Sequence, residues 1–160
     1  MIDGIDGQIL TILQQDARAS NAEIARQVGL APSAVLERVR KLEERRVIRG
    51  YSVDIDPPAI DFGLTAIVAV RTSECGDGVG DQLAAVPEIL EVHEVAGEDC
   101  FYIKIRTRDT ESLGRLLRER IKAIPRVLNT NTTVVLKTFK ESVELPIAIK
   151  EDTRSRAKGK

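Results

Sequence analysis

The chain has 160 residues, 42% of them hydrophobic, which suits one domain or two small ones. Its formal net charge of −1 excludes a general polyanion sink, so any cationic surface must be local. Aromatic residues make up 3% and Trp is absent, which disfavours single-stranded nucleic acid held by base stacking.

The first expected element is a helix over 4–15, with Asp3 as its cap and Ile5, Ile9, Ile12 and Leu13 at helical spacing. The second opens on a capping box. The Glu23 backbone N–H can donate to the Ser20 hydroxyl, and the Ser20 N–H to the Glu23 carboxylate. Ile24, Ala25 and Val28 make its apolar face, and Gly29 supplies the left-handed residue that ends it. After a tight turn, Pro32 sits where a first helical residue needs no N–H donor. Val35, Val39 and Leu42 then recur at i, i+4 and i+7, so that face packs inward. Ser33, Ala34, Glu37, Arg40 and Lys41 are thereby turned outward.

That outward face starts small and polar and becomes cationic, as a helix entering a major groove requires. Six Arg or Lys stand against two Glu between Arg38 and Arg49, the footprint of a discrete basic patch. Arg45, Arg46 and Arg49 carry it into an extended run, Val47 to Val53, that reads as a wing strand. Two ordinary helices with a solvated charged face would share much of this pattern. The short turn, which sets two helices at a helix-turn-helix angle, and the basic extension favour DNA binding.

Pro57 and Pro58 break the chain after the wing. The expected division is 1–56 as a winged helix-turn-helix domain, 57–63 as a linker, 64–142 as a second domain and 143–160 as a partly disordered tail. The second domain repeats itself: Val86-Pro87-Glu88-Ile89-Leu90 matches Ile124-Pro125-Arg126-Val127-Leu128, each at a junction of helix and strand. A strand over 64–72 precedes a helix carrying Val79, Leu83 and Val86 and a strand over 89–95. Phe101, Ile103 and Ile105 then alternate with Tyr102, Lys104 and Arg106, a half-buried strand. A helix capped by Asp109 carries Leu113, Leu116, Leu117, Ile121 and Ile124 on one stripe, and a strand over 127–136 closes the domain. The whole is α+β, the second domain a ferredoxin-like βαββαβ unit. Its open sheet face is expected to hold Val68, Val70, Val92, Ile103 and Val135, an apolar surface of the kind that marks an interface.

Catalysis has little to stand on. His93 is the one histidine, and the glycines at 76, 78 and 80 lack the Lys-Ser/Thr of a phosphate loop. Cys75 and Cys100 have no metal-ligand spacing and fit a reduced chain. No catalytic residue, metal ligand or cofactor site is therefore assigned. No apolar run approaches the roughly 20 residues that span a bilayer. The N-terminus also lacks the order of a secretory signal, so a cytoplasmic protein is expected.

Ile5-Asp6 with Ile9-Leu10 and Leu13, Asp16 with Arg18, and the run Leu36 to Glu43 recur in an order and spacing that resemble a known family. Val47-Ile48 with Gly50-Tyr51, and Gly97 between two strands, extend the likeness over 5–142. The family is that of the leucine-responsive and AsnC-type (Lrp/AsnC) transcription regulators. The resemblance implies a sequence-specific regulator of double-stranded DNA, dimeric through its second domain and assembling to tetramers or octamers. It places Ser33, Ala34, Glu37, Arg38 and Lys41 in or beside the major groove, and Arg40, Arg45 and Arg49 on phosphates. It also implies an amino acid or related effector between dimers, lined by Gly97, Glu98, Asp99, Tyr102, Asp109, Thr132, Thr133, Val134 and Val135.

Several residues depart from the family pattern. Cys100 stands where an aspartate is usual and Ala96 where a serine or threonine is frequent, so a different ligand, or none, becomes an alternative. Ala31 replaces the usual serine cap, and Arg46 a frequent glycine whose backbone, if φ is positive, would be strained. Two other classes stay open: an enzyme of the tetrapyrrole (sirohaem) decarboxylase type with the same architecture, and an assembly module that no longer reads DNA.

Overall fold

A computed structural model describes residues 2–74 and 78–148. They divide into two compact units, one of 2–53 with 141–148, the other of 54–140. The glycine at 76 and the basic end of the expected tail lie outside the described residues.

The first unit holds α1 (Gly4–Gln15), α2 (Asn21–Val28) and α3 (Pro32–Glu44). Both expected N-termini form, each with a reciprocal capping box. In α2 the Glu23 N–H donates to Ser20 Oγ at 3.2 Å and the Ser20 N–H to Glu23 Oε2 at 2.8 Å. In α1 the Asp6 N–H donates to Asp3 Oδ1 at 2.7 Å, and the Asp6 carboxylate accepts in return. Ile9, Ile24, Ala25, Val35, Val39 and Leu42 close one core. Gly29 takes the left-handed conformation, φ 71°, that lets the chain leave α2.

The end of α3 is a Schellman motif. The Val47 N–H reaches back to the Leu42 carbonyl at 2.9 Å and the Arg46 N–H to that of Glu43 at 2.9 Å, while Val47 joins the core cluster around Leu42. This geometry needs a left-handed residue between them, and Arg46 supplies it at φ 57°. Its Cβ makes that conformation cost roughly 1–2 kcal/mol. The motif also overturns the expected wing strand. Val47 and Ile48 are spent on the turn and the helical core, and 49–56 forms no strand. A strand exists only through its ladder, so propensity alone does not make one.

In the second unit a short 3₁₀ turn (Pro57–Ile60) leads to β1 (Leu64–Thr72), α4 (Val79–Ala84), β2 (Ile89–Glu94), β3 (Phe101–Thr107), α5 (Thr110–Leu116) and β4 (Val127–Val134). A π-helical turn, Leu117–Ile121, extends α5. The antiparallel sheet has the order β2-β3-β1-β4, as the ferredoxin-like reading requires. Ala66, Val68, Val70, Phe101, Ile103 and Ile105 pack under Val79, Leu83, Val86, Leu113, Leu116, Ile121 and Ile124.

The open face is not the apolar one expected. Val68, Val70 and Ile103 are at most 1% exposed and belong to the helix-covered core, with Val92 packed against it, and Val135 follows the last strand. Side chains alternate along a strand, so the opposite face carries Thr65, Ile67, Ala69 and Arg71 with Tyr102, Lys104 and Arg106. In register beside them stand Glu91, His93, Asn129, Asn131 and Thr133. Cys100 is buried and disulfide-bonded, against the expectation of a reduced chain. Cys75 lies outside the described residues.

Ala31 holds the extended conformation of an N-cap but offers no oxygen to the first turn of α3. Ala31→Ser is expected to raise stability by about 1 kcal/mol, read from denaturant unfolding, because the hydroxyl would accept an orphan N–H.

Candidate functional site

The core residues of α3 leave its opposite side to solvent. Ser33, Glu37, Arg40 and Lys41 are exposed there, and Ala34 is half-buried at the start of the helix. Leu36 is also exposed, at 56%. An apolar side chain on this otherwise polar face has the chemistry to meet an apolar group such as a thymine methyl. Helical spacing puts Leu36 outside the inward stripe of Val35, Val39 and Leu42, although it is not among the residues expected at the groove.

The cations sort into two groups. Arg40 Nε lies 2.9 Å from Glu44 and Lys41 Nζ 3.4 Å from Glu37, both i,i+4 pairs on the helix surface. Arg38, expected beside the groove, instead places Nη1 at 2.7 Å from Asp3 and 2.6 Å from Asp6. It thus joins α3 to the capping box of α1. Arg45, Arg46 and Arg49 are exposed, with no carboxylate partner among the described residues. Tyr51 donates its hydroxyl to Glu43 at 2.9 Å, and burial together with that carboxylate pushes its pKa up to about 12.

The expected effector residues do not converge within one subunit. The turn Gly97-Glu98-Asp99 precedes β3, whose Phe101 pairs with Val70. Asp109 follows Thr107, which pairs with Leu64 at the other end of β1. Those ends are six residue steps apart along the strand, roughly 20 Å. Tyr102 lies towards the first end, whereas Thr133, Val134 and Val135 sit beside Ile67, Ala66 and Thr65 towards the second. Thr132 and Val134 align with core-facing positions of β1, and Thr133 with the open face.

Arg71, absent from the expected set, holds the first end together. Its Nη2 is 3.0 Å from Glu98 and its Nε 3.5 Å from Asp99. It is recognisable only through the pairing of β1 with β3, since 27 residues separate it from Glu98. Asp109 is engaged as the cap of α5, accepting from the Ser112 N–H at 2.7 Å, and that bond holds its carboxyl below the usual aspartate range. His93 is exposed on β2, 3.4 Å from Glu91. Among the described residues no group of His, Cys, Asp and Glu is placed to hold a metal.

Residues 2–43 match the AsnC-type helix-turn-helix domain and residues 65–145 the Lrp/AsnC ligand binding domain. The chain belongs to the Lrp/AsnC family of transcription regulators. It is 42% identical over 147 residues to the HTH-type transcriptional regulator FL11 of Pyrococcus horikoshii, covering 91% of this chain and 97% of that protein. The leucine-responsive regulatory protein of Escherichia coli K12 is 36% identical over 150 residues, covering 91% and 92%. Among solved structures, the feast or famine regulatory protein of M. tuberculosis, complexed with L-methionine, superposes with a TM-score of 0.85. It is 35% identical, and the match covers 92% of this chain and all of that one. The helix-turn-helix and four-stranded-sheet architecture of the family is therefore that of this chain, and so is its place among transcription regulators. No described helix is long and apolar enough to cross a membrane.

The Arg38 network yields a stability prediction with a definite sign. The Asp6 N–H, and after it Arg38, hold the Asp3 carboxyl below its usual range. A depressed carboxyl contributes stability above its unfolded pKa of about 4 and loses it as pH falls through the folded value. Arg38→Ala is expected to cost about 1 kcal/mol at neutral pH, the exposure of Asp3 having screened the pair. The variant should also lose less stability than the parent on acidification below about pH 4, measured by thermal unfolding across a pH series.

Proposed function

We propose that this regulator reads duplex DNA with the outer face of α3, as an oligomer whose assembly responds to an amino acid. The observation that carries the reading is the exposed outer face of α3 running into the guanidiniums of Arg45 and Arg49, which meet no carboxylate among the described residues. Ser33, Ala34, Leu36, Glu37 and Lys41 meet base edges. Arg40, Arg45 and Arg49 bind phosphates, and Arg38 holds α3 on α1 rather than touching DNA. Lys41 and Arg40 must exchange their i,i+4 carboxylates for DNA, which costs little because surface pairs are worth less than about 1 kcal/mol.

Assembly beyond the monomer, to a homodimer and on to tetramers or octamers, is supported by exposed apolar residues. Tyr51, Val53 and Ile55 are exposed along a run whose backbone makes no hydrogen bond among the described residues. Backbone left unpaired in this way is free to pair with a segment of another chain.

The effector reading rests on relatives from Neisseria meningitidis and M. tuberculosis, both crystallised with L-methionine. Because the expected lining residues divide between two ends of the sheet, the site is completed by a second subunit. Arg71 adds a guanidinium for a ligand carboxylate, and backbone N–H groups at the Gly97 turn add donors.

Selection of genomic fragments should return a defined operator, with affinity falling linearly on a log–log plot against salt. Arg45→Ala with Arg49→Ala should weaken all duplexes and flatten that slope by about two units, whereas Lys41→Ala should chiefly erode sequence preference. Salt-insensitive behaviour, or no fragment retained, would exclude the reading. Light scattering should find no monomer at micromolar concentration. Calorimetry across the proteinogenic amino acids should find at least one ligand, and a flat response to all with unchanged sedimentation would remove the effector.

A further inference from the structure

The left-handed residue that closes α3 is the point where the structure carries a cost without an internal return. The Schellman turn from Leu42 to Val47 asks only for positive φ, which glycine adopts freely, yet Arg46 occupies it at φ 57°. The helix dipole does not explain the choice. Lys41 in the last turn and Arg45 at the cap already oppose the negative end of α3. A further cation beside Arg45 and Arg49 adds like-charge repulsion, and no carboxylate among the described residues answers any of the three. An external polyanion would answer a strained, exposed guanidinium that stands within a cluster of its own sign.

We infer that Arg46 is a phosphate anchor of the DNA interface, its backbone strain being the cost of placing a guanidinium where the turn prefers glycine. This rests on the DNA-binding reading above and adds to it a residue outside the recognition face. Backbone strain retained at a binding surface is a recurrent signature of function. The bound duplex would screen the mutual repulsion of Arg45, Arg46 and Arg49, so part of the anchoring free energy is relief present only in the complex. The contact is to backbone phosphate and carries no sequence information.

The test uses the full chain, a mixed-sequence synthetic duplex and a salt series. Arg46→Gly should melt a few degrees higher than the parent, because the strain is gone. Its duplex affinity should nonetheless fall about tenfold near 0.1 M salt, with the log–log salt slope smaller by about one. Arg46→Lys should keep the parental slope and the parental strain. If the parent binds and Arg46→Gly binds with equal affinity and slope, Arg46 is not an anchor and the inference falls alone. If Arg46→Gly alters sedimentation but not the slope, the guanidinium serves contact between copies and the inference again falls. A parent that binds no duplex would overturn the DNA-binding reading itself.

Discussion

The burial of Val35, Val39 and Leu42 in one face of α3 is the constraint on which the DNA-facing half of the molecule depends. These residues share a core with Ile9, Ile24 and Ala25, so α3 cannot rotate about its axis without exposing them. Each such side chain is worth about 1.5–3 kcal/mol when fully buried. That fixed rotation decides which residues point to solvent, and Leu42 also anchors the turn that ends the helix. The same turn consumes Val47 and Ile48 and forces Arg46 into the left-handed region. Presentation of the outer face, loss of the wing strand and strain at Arg46 are thus consequences of one packing arrangement.

Charge in this unit follows a second division. Arg38 bridges Asp3 and Asp6, the two members of the α1 capping box, and is largely withdrawn from solvent. Arg40 and Lys41 are paired along the helix with Glu44 and Glu37, weakly enough for the proposed exchange onto DNA. Arg45, Arg46 and Arg49 meet no carboxylate among the described residues. A near-neutral chain can therefore still present a cationic edge, because net charge does not fix where the cations gather.

In the second unit the two-residue period of the strands is decisive. It puts Val68, Val70 and Ile103 under the helices and leaves a polar open face, reversing the surface that an apolar census suggests. The pairing register also sends the Gly97 turn and Asp109 to opposite ends of the sheet. Those residues meet only if another subunit supplies one of the ends, which ties effector binding to assembly in the proposed mechanism. Arg71 sits at the Gly97 end and pairs with both acids there.

Much of this architecture is legible in the sequence. The three helices of the first unit, their caps at Asp3, Ser20 and Gly29, and the βαββαβ order of the second follow from local signals: capping chemistry, glycine at a helix end and hydrophobic period. The outward residues of α3 follow from the same period. What the sequence could not determine were relations between distant residues. Arg38 looks like any cation on a basic helix until Asp3 and Asp6 are brought to it from 35 and 32 positions away. Val47 to Val53 has strand propensity, but a ladder needs a neighbour that no local pattern names. Valines alternate visibly along β1, yet which parity faces the helices is set by how the sheet docks, not by the alternation itself. Local preference decided the elements. Tertiary packing decided their partners, because ion pairs, ladders and faces belong to pairs of segments that only the fold brings together.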